Sequence, residues 1–498
     1  MTKNTIGLIL GPLLFVLMLF FRPAGMEDPA RFTAATTLWM AVWWITECMP
    51  IAVTAMLPLI VFPLCGVMNI KQAGSGYSDP VIFLFIACFM LATAIEKWNL
   101  HRRIALNIIR FVGTKPSMVI LGFMLATGFL SMWLSNTATT IMMLPIGLSL
   151  STVVTEDYDD KIFKSNFTAV ILLGIAYASS IGGIATLIGT PTNILFAGAV
   201  AKNFNEDISF TSWLIFAFPP TFILLLSAWF YMVWAFGIRK KEKMLSPDKD
   251  ATNKIDNYLK EIGRLSFEEI TVASVFGLAV LGWILRAFWL KDIIPNDAII
   301  ALIAMTILFM IPAGKKSKVS NVEKETHIDE DTFKKYPTIL DWQTAVNIPW
   351  GIILLFGGGL SLATAFEVSG LAAWIGKSLT IFEILPFFLI LLLVVTMVNF
   401  LTEITSNVAT VSMVLPVLIA ISKSLEIHPY YLMIGATCAA SCAFMLPVAT
   451  APNAIVYGTE KIKIGQMIKS GFALNLISIV IYTLFIYYTL PLIWDLSK

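Results

Sequence analysis

Long apolar stretches alternate with short polar ones along most of the chain. About 20 helical residues cross the hydrocarbon core of a bilayer, and several of the apolar stretches approach that length. A membrane-spanning segment must satisfy its backbone polar groups internally, which favours helices. The pattern therefore predicts an all-α polytopic membrane protein with about 11 transmembrane helices. The clearest apolar stretches cover residues 5–21, 211–236, 267–290, 296–313, 385–401 and 470–494.

Two charged stretches, residues 239–264 and 314–335, interrupt this pattern. Both are rich in Lys and Arg, and loops of this kind stay on the cytoplasmic side of a membrane. This placement predicts a plasma-membrane protein with its N-terminus in the cytoplasm and its C-terminus outside the cell. The basic, amphipathic segment 97–115 is expected to lie along the inner membrane surface.

Composition agrees with the membrane interpretation. Hydrophobic residues make up 58% of the 498-residue chain and charged residues only 13%, against roughly 25% charged residues in soluble domains. The first apolar stretch resembles a signal peptide, but FFRPAGMEDP follows it without a small-residue cleavage site, so we interpret it as a retained helix. The net charge of +2 predicts no nucleic-acid partner.

One phrase occurs twice in the chain. SNTATTIMMLP begins at Ser135, and SNVATVSMVLP begins at Ser406. LATAIEKWNL at 91–100 matches LATAFEVSGL at 362–371 with the same spacing. A constant spacing over this length predicts an internal repeat, and each Ser-Asn phrase is expected at the tip of a re-entrant hairpin.

A second pair of phrases follows the hairpins, GTPTN at 189–193 and ATAPN at 449–453. The spacing of this second pair is shorter, which means that the first half contains additional residues between its two phrases. The charged DYDDK stretch at 157–161 is the expected position of these additional residues. Five predicted crossings separate the two hairpins, and an odd number inverts the second copy, as in many secondary transporters.

The predicted organisation divides the chain into six parts. These are N-terminal scaffold helices at 1–79, a first repeat at 80–238 with a hairpin at 116–150, a cytoplasmic loop at 239–266, scaffold helices at 267–313, a second cytoplasmic loop at 314–346, and a second repeat core at 347–498 with a hairpin at 385–423.

The repeated phrases have the chemistry of a combined anion and cation site. Gly189 and Pro191 are expected to break one helix, and Pro447 and Pro452 another. Helix N-termini at such breaks carry partial positive charge, which suits carboxylates. Freed carbonyls and hydroxyls suit a small hard cation such as Na⁺. Neither tip contains Lys or Arg, so amides, hydroxyls and helix dipoles would hold the anion.

Other classes of activity find less support. The sequence has no Walker loop and no G-x-S-x-G motif, which argues against an ATP-driven pump and gives no support to a membrane enzyme. We therefore predict no enzymatic activity, no catalytic residue and no cofactor.

All five cysteines lie in apolar surroundings and are expected to be small buried thiols. They are Cys48, Cys65, Cys88, Cys438 and Cys442.

At these phrases the chain resembles the divalent-anion:sodium symporter family, the di- and tricarboxylate transporters. The resemblance covers nearly the whole chain and is clearest at SNTAT (135–139), SNVAT (406–410), ASCAFMLPVATAPNAIV (440–456) and WWITECMPIAVTAMLP (43–58). It implies two opposed re-entrant hairpins, a homodimer and an elevator movement of a transport part against a scaffold. The implied substrates are four- to six-carbon di- or tricarboxylates, or sulfate in some branches.

The resemblance also implies the site residues. One Na⁺ site would use Ser131, Ser135, Asn136 and carbonyls around Gly189, and the other Thr402, Thr405, Asn407 and carbonyls around Ala449. The substrate carboxylates would meet Asn136, Thr137, Thr190, Ser406, Asn407 and Thr450.

Two departures from the family pattern are expected to matter. The second tip has Val408 where the family often has Thr, which removes a hydroxyl near the substrate. The family's breaks often read Thr-Pro-Pro, and Thr192 and Ala451 each take the place of one of these prolines, so the backbone there is expected to be softer.

Two modes of transport remain open at this point. One is uptake of succinate-, malate- or fumarate-like anions with Na⁺, and the other is exchange of one dicarboxylate for another without a cation. Carbonyl ligands are invisible in a sequence, so it separates these modes poorly. A membrane enzyme and a gated channel are the alternatives from other classes.

Glu403, three residues before Ser406, is interpreted as bracing its hairpin through a buried hydrogen bond. The alternative is that Glu403 titrates during transport.

Overall fold

The computed structural model describes residues 3–21, 23–113, 115–155, 160–239, 249–314, 338–378, 385–494 and 496. These residues form helices and connecting segments, with one isolated bridge between Pro312 and Thr338 and no β-strand. The prediction of an all-α chain is confirmed. The first twelve α-helices of the described residues are Lys3–Phe20, Asp28–Thr46, Ile51–Thr54, Leu57–Leu64, Ile70–Gly74, Pro80–Lys97, Leu100–Val112, Pro116–Ser131, Asn136–Val154, Lys161–Ile184, Pro191–Phe204 and Phe210–Ala235, and a short 3₁₀-helix, Ser75–Ser78, follows the fifth. Those that follow are Lys249–Ile262, Phe267–Leu285, Asp297–Met310, Trp342–Ala345, Trp350–Val368, Leu371–Ser378, Phe387–Leu401, Asn407–Ser424, Tyr430–Ala440, Ala451–Tyr457 and Ile464–Ile493.

Eight helical segments of the described chain are long and apolar enough to cross a membrane. Shorter apolar helices, such as Pro116–Ser131 and Phe387–Leu401, supplement them. The chain is therefore a multi-pass membrane protein, and the figure of about 11 spans stays a prediction. The eight segments are Ile70–Lys97, Asn136–Val154, Lys161–Ile184, Phe210–Ala235, Phe267–Leu290, Trp350–Val368, Asn407–Ser424 and Ile464–Ile493.

Each Ser-Asn phrase lies at the tip of a helical hairpin. The first hairpin has the arms Pro116–Ser131 and Asn136–Val154, and the second has the arms Phe387–Leu401 and Asn407–Ser424. The repeated serine is the residue that starts each second arm. Ser135 has extended backbone angles, and its hydroxyl accepts a hydrogen bond from the backbone N–H of Ala138 at 3.2 Å, as is typical of a helix N-cap.

Each hairpin is followed by a helix in two pieces. The first broken helix consists of Lys161–Ile184 and Pro191–Phe204, and the second of Tyr430–Ala440 and Ala451–Tyr457. Pro191 and Pro452 stand in the first turn of the later piece, where a missing backbone N–H costs no hydrogen bond. The prolines therefore start the second pieces and do not themselves end the first pieces.

The two broken helices differ in length before the break. With Gly189 aligned to Ala449, Tyr430 corresponds to Val170, whereas the first broken helix already begins at Lys161. Relative to the second broken helix, the first one therefore extends further at its N-terminus, over residues 161–169. Asp160 accepts hydrogen bonds from the backbone N–H groups of Ile162 and Phe163 and so starts this helix. The predicted position of the additional residues, DYDDK at 157–161, lies mostly outside the described residues and stays a prediction.

The two halves pack against each other reciprocally. The later piece of the first broken helix, Pro191–Phe204, contacts the second arm of the second hairpin, Asn407–Ser424. The later piece of the second broken helix, Ala451–Tyr457, contacts the second arm of the first hairpin, Asn136–Val154. Equivalent elements of the two predicted repeats thus exchange contacts, each later helix piece packing on the hairpin of the other half.

The expectation of five buried thiols was wrong for two of the cysteines. Cys48 and Cys65 are half-buried, whereas the remaining three are fully buried. Cys48 lies in the turn after Thr46, and Cys65 follows the helix Leu57–Leu64. Residues at helix ends have neighbours on fewer sides, so apolar sequence around a cysteine does not by itself bury it.

Gly182 is expected to be a packing-critical residue. A methyl group added at Gly182 would lie 2.2 Å from the carbonyl oxygen of Gly128, where the first broken helix crosses the first arm of its hairpin. We expect Gly182→Ala to destabilise the protein by about 1–3 kcal/mol, seen as a lower midpoint of thermal unfolding in detergent. Gly277→Ala is the matched control, because nothing lies within 4 Å of that position. An unchanged midpoint for Gly182→Ala would contradict the close crossing.

Candidate functional site

The first hairpin tip brings together more hydrogen-bond acceptors than protons. The hydroxyl oxygen of Ser131 lies 2.7 Å from Asn136 Oδ1 and 2.6 Å from the carbonyl oxygen of Ser179. A hydroxyl carries a single proton and can donate to only one of these oxygens. The three oxygens therefore form a cluster with one donor too few, which a cation would satisfy.

The first break forms the other wall of this cluster. A methyl group added at Gly183 would lie 2.6 Å from Asn136 Oδ1, and one added at Gly189 would lie 3.0 Å from the carbonyl oxygen of Ser131. The backbone of the break thus runs directly against the tip, and a side chain at either glycine would block it. Ser131, Asn136 and Gly189, three residues of one predicted Na⁺ site, lie together.

The second tip repeats this arrangement. The hydroxyl oxygen of Thr402 lies 2.8 Å from Asn407 Oδ1 and 3.0 Å from the carbonyl oxygen of Ala440. Thr402 and Asn407 are related to Ser131 and Asn136 by the same spacing as the repeated phrases, so the two clusters are equivalent in the repeat. The same shortage of one proton occurs in both.

Two asparagines that sequence reasoning missed hold the breaks in shape. Asn193 Nδ2 donates to the carbonyl oxygens of Gly183 at 3.2 Å, Ile184 at 3.2 Å and Thr186 at 2.7 Å. Asn453 Nδ2 donates in the same way to Ala443 at 3.2 Å and to Leu446 at 3.1 Å. The available signal was the Asn that ends both GTPTN and ATAPN.

The Oδ1 atoms of Asn193 and Asn453 are buried and have no hydrogen-bond partner among the described residues. An unsatisfied buried carbonyl oxygen is costly. Both breaks therefore carry spare acceptors, in keeping with the excess of acceptors at the tips.

Glu403 organises the second break. Its side chain is 3% exposed, and its carboxylate accepts hydrogen bonds from the backbone N–H groups of Phe444 at 2.7 Å, Met445 at 2.9 Å and Leu446 at 3.1 Å. Asn475 Nδ2 donates a fourth hydrogen bond at 2.8 Å. Because these N–H groups donate to Glu403, they do not donate to carbonyl oxygens within a continuous helix. This explains why helix Tyr430–Ala440 ends well before Pro447. The geometry fits the bracing interpretation of Glu403.

The two halves differ at this position, because Met132 occupies the place of Glu403 in the first repeat. The first break is instead tied to its hairpin by the hydroxyl of Thr186, which donates to the carbonyl oxygen of Met132 at 2.5 Å. One break thus has a buried carboxyl group behind it and the other has none.

The two breaks contact each other. The hydroxyl oxygens of Thr192 and Ser441 lie 2.8 Å apart, and Thr192 Oγ1 also lies 3.4 Å from Thr190 Oγ1. Thr190 and Thr450 occupy the N-cap positions of the later helix pieces. The N-terminus of helix Pro191–Phe204, with its partial positive charge, thus starts at this contact.

The remaining predicted site residues are less closely grouped. Ser135 is exposed, and its hydroxyl caps Ala138. The hydroxyl of Thr405 donates to the carbonyl oxygen of Leu401 at 2.9 Å and lies 2.5 Å from Thr410 Oγ1, so its partners are not those of Thr402. Half-buried positions at the tips and the second break belong to Thr137, Ser406 and Thr450, and Ala449 is buried.

The surroundings of the two breaks are unequal. At the second break, Val448 is 80% exposed, and Ile404 on the second hairpin tip is 62% exposed. At the first break, Leu187 and Thr190 are 1% and 3% exposed. The second tip and break thus present apolar side chains at the surface, whereas the first break is buried.

Comparison with known proteins gives a consistent result. The family model described as "Sodium:sulfate symporter transmembrane region" matches residues 2–494. A sodium-dependent dicarboxylate transporter of Staphylococcus saprophyticus is 44% identical over 494 residues, which cover 98% of this chain and 91% of the relative. Its namesake in Staphylococcus aureus (strain MRSA252) is 42% identical over 503 residues, with 99% and 92% covered.

Two solved structures share the fold. The YdaH transporter of Alcanivorax borkumensis superimposes with a TM-score of 0.56 at 12% identity, covering 94% of this chain and all of that one. MtrF of Neisseria gonorrhoeae superimposes with a TM-score of 0.53, also at 12% identity, covering 98% and 94%. At this identity the likeness concerns the helical architecture alone.

Proposed function

Because the chain belongs to the sodium:sulfate symporter family, the divalent-anion:sodium symporters, we propose that it is a secondary transporter that carries dicarboxylates across the membrane together with Na⁺. The substrates are succinate-, malate- or fumarate-like anions, and no enzymatic step is involved. The observation that carries this proposal is the paired cluster of hydroxyl, amide and carbonyl oxygens, one at each hairpin tip, on either side of two joined helix breaks.

Each oxygen cluster is proposed to hold one Na⁺. The first would use Ser131, Asn136 and the carbonyl oxygens of Ser179 and Gly189, and the second Thr402, Asn407 and the carbonyl oxygen of Ala440. Hard cations prefer oxygen ligands of this kind. A bound cation would supply the positive charge that no side chain of the tips provides, because residues 131–136, 185–193, 402–407 and 441–453 contain no Lys or Arg.

The dicarboxylate is proposed to lie between the two tips. An asparagine amide has one carbonyl oxygen and an NH₂ group with two donors. In both Asn136 and Asn407 the oxygen points to the cation cluster, which leaves the NH₂ group for a substrate carboxylate. A cation on one end of the amide thus orients the donor at the other end. Thr137, Ser406 and the N-cap residues Thr190 and Thr450 would complete the contacts.

The proposal also covers the orientation of the protein in the membrane, its movement during transport and its assembly into a dimer. The basic loops favour a cytoplasmic N-terminus and an extracellular C-terminus in the plasma membrane, with the hairpins entering from opposite sides. The resemblance to the family supports a homodimer and an elevator movement of the hairpins and broken helices past the remaining helices. Helix Trp350–Val368 lies against both Pro191–Phe204 and Asn407–Ser424, and it is the surface along which we expect that movement.

Uptake of labelled succinate into liposomes that contain the purified protein tests this function. Uptake that is driven by an inward Na⁺ gradient and collapses when K⁺ or choline replaces Na⁺ supports symport. Uptake that ignores the cation but requires a dicarboxylate inside the liposomes would replace symport by exchange. No uptake under either condition would overturn the proposal.

Removing one cation ligand should weaken Na⁺ binding selectively. We expect Ser131→Ala and Thr402→Ala each to raise the Na⁺ concentration for half-maximal uptake about tenfold, which corresponds to the roughly 1.4 kcal/mol typical of one such contact. Maximal uptake at saturating Na⁺ should change much less. Thr402→Ser, which keeps the hydroxyl, should restore the affinity.

The matched control for these variants is Thr306→Ala. The Thr306 hydroxyl is exposed and donates only to Leu302 on its own helix. If the Na⁺ dependence of Ser131→Ala and Thr402→Ala equals that of this control, the cation sites lie elsewhere.

A further inference from the structure

A groove at one end of the transmembrane helices lies outside the transport site. It has a volume of about 110 Å³ and runs between the start of the first hairpin, at Ser117 and Met118, and the end of helix Phe210–Ala235, at Trp229, Phe230 and Trp234. Arg239 lies at its rim. Neither the oxygen clusters nor the breaks contribute to it, so the proposed transport cycle leaves this groove unexplained.

The walls of the groove are apolar, and one of them is fixed. Phe230 is 58% and Trp234 69% exposed, which is the exposure expected of aromatic residues that face lipid near a membrane surface. Trp229 is held in place because its Nε1–H donates to the carbonyl oxygen of Ser117 at 2.9 Å. The groove is therefore a preformed cleft between two helices and not a loose gap.

The polar end of the groove is positively charged. Arg239 is exposed, and so is Lys115, two residues before Ser117. Within the described residues neither side chain has an ion-pair partner, whereas Arg110 nearby in sequence is paired with Asp256 at 3.0 Å. Both belong to basic segments that the positive-inside rule places at the cytoplasmic surface. An apolar cleft thus ends at the positive charge of Arg239, with Lys115 close in sequence to its other wall.

We propose that this groove binds one anionic phospholipid of the inner leaflet, such as phosphatidylglycerol. An acyl chain fills the cleft between Met118 and Trp234, and the head-group phosphate pairs with Arg239 and Lys115. The charge complementarity selects an anionic lipid, since each basic residue near the membrane surface contributes roughly 1 kcal/mol toward binding anionic lipid. The bound lipid contacts both the start of the first hairpin and the end of helix Phe210–Ala235. This inference requires membrane insertion with the basic loops inside and is independent of the substrate.

Photolabelling by lipids with a diazirine in the acyl chain tests the site in liposomes that contain the full-length protein. We expect a phosphatidylglycerol probe to label residues 116–118 and 229–234 at least about fivefold more than a phosphatidylcholine probe with the same chain. This comparison uses the wild-type protein and needs no variant. Equal labelling by the two probes would overturn the proposal.

Arg239→Gln should lower labelling by the phosphatidylglycerol probe about fivefold, the factor that roughly 1 kcal/mol represents, and should leave the phosphatidylcholine probe unchanged. Lys461→Gln, at another exposed lysine, is the control and should change neither. Met118→Trp, which fills the cleft, should reduce labelling of residues 229–234 by both probes. Unchanged labelling in both Arg239→Gln and Met118→Trp would show that the lipid does not occupy this groove.

Discussion

Asn136→Ala and Asn407→Ala are each expected to reduce Na⁺-driven succinate uptake to below about 1% of wild type. Each substitution removes an oxygen from a cation cluster and, in the proposed complex, two donors from a substrate carboxylate. Hydrogen bonds to charged groups contribute about 1.5–3 kcal/mol each. Losing the cation contact and the anion contact together therefore corresponds to at least two orders of magnitude in transport. The measurement is initial uptake of labelled succinate under an inward Na⁺ gradient.

The control for these variants is Asn347→Ala. Asn347 is exposed, and its amide donates only to the carbonyl oxygen of Gln343 one turn earlier, so we expect uptake close to wild type. Elution as a single species in gel filtration and an unchanged unfolding midpoint would show that the two inactive variants are folded. Normal transport by both Asn136→Ala and Asn407→Ala would refute the site assignment.

Glu403→Ala is expected both to destabilise the protein and to abolish uptake. The substitution leaves the backbone N–H groups of residues 444–446 and the amide of Asn475 without their acceptor. A buried donor without a partner costs about 1–3 kcal/mol, so the second break should lose its shape at a total cost of several kcal/mol. The unfolding midpoint in detergent should fall by several degrees, and succinate uptake should be lost at every Na⁺ concentration.

Glu403→Gln separates the charge of this residue from its shape. Glutamine keeps one acceptor oxygen but places an NH₂ group against the backbone donors, so we expect a smaller loss of stability and a reduction of uptake of about tenfold or more. Glu367→Gln is the matched control, because Glu367 is exposed and its pair with Lys423 at 3.4 Å is a surface contact worth little. Wild-type uptake by Glu403→Gln would show that the charge behind the second break is dispensable.

The helical architecture and the repeated residues could be predicted from the sequence. Apolar stretches of spanning length require helices, and the constant spacing of the repeated phrases pairs Ser131 with Thr402 and Asn136 with Asn407. The structure gives both pairs the same hydrogen bonds. These positions were predictable because the same chemistry appears twice in the side chains themselves.

Other parts of the site could not be predicted because the backbone supplies them. The carbonyl oxygens of Ser179 and Ala440 lie in the clusters, yet any residue has a carbonyl, and only the path of the chain selects these two. The start of the second break depends on Glu403, which is distant in sequence from residues 444–446. The roles of Asn193 and Asn453 likewise depend on carbonyls that the breaks expose, although their matching positions in the two later phrases were visible.

A cryo-electron microscopy structure of the protein in Na⁺ and succinate tests the central claim most directly. The account predicts density for the dicarboxylate between the two tips, within hydrogen-bond distance of both Asn136 and Asn407, with one cation density beside Ser131 and another beside Thr402. Succinate density that contacts only one hairpin, or lies away from both tips, would contradict it.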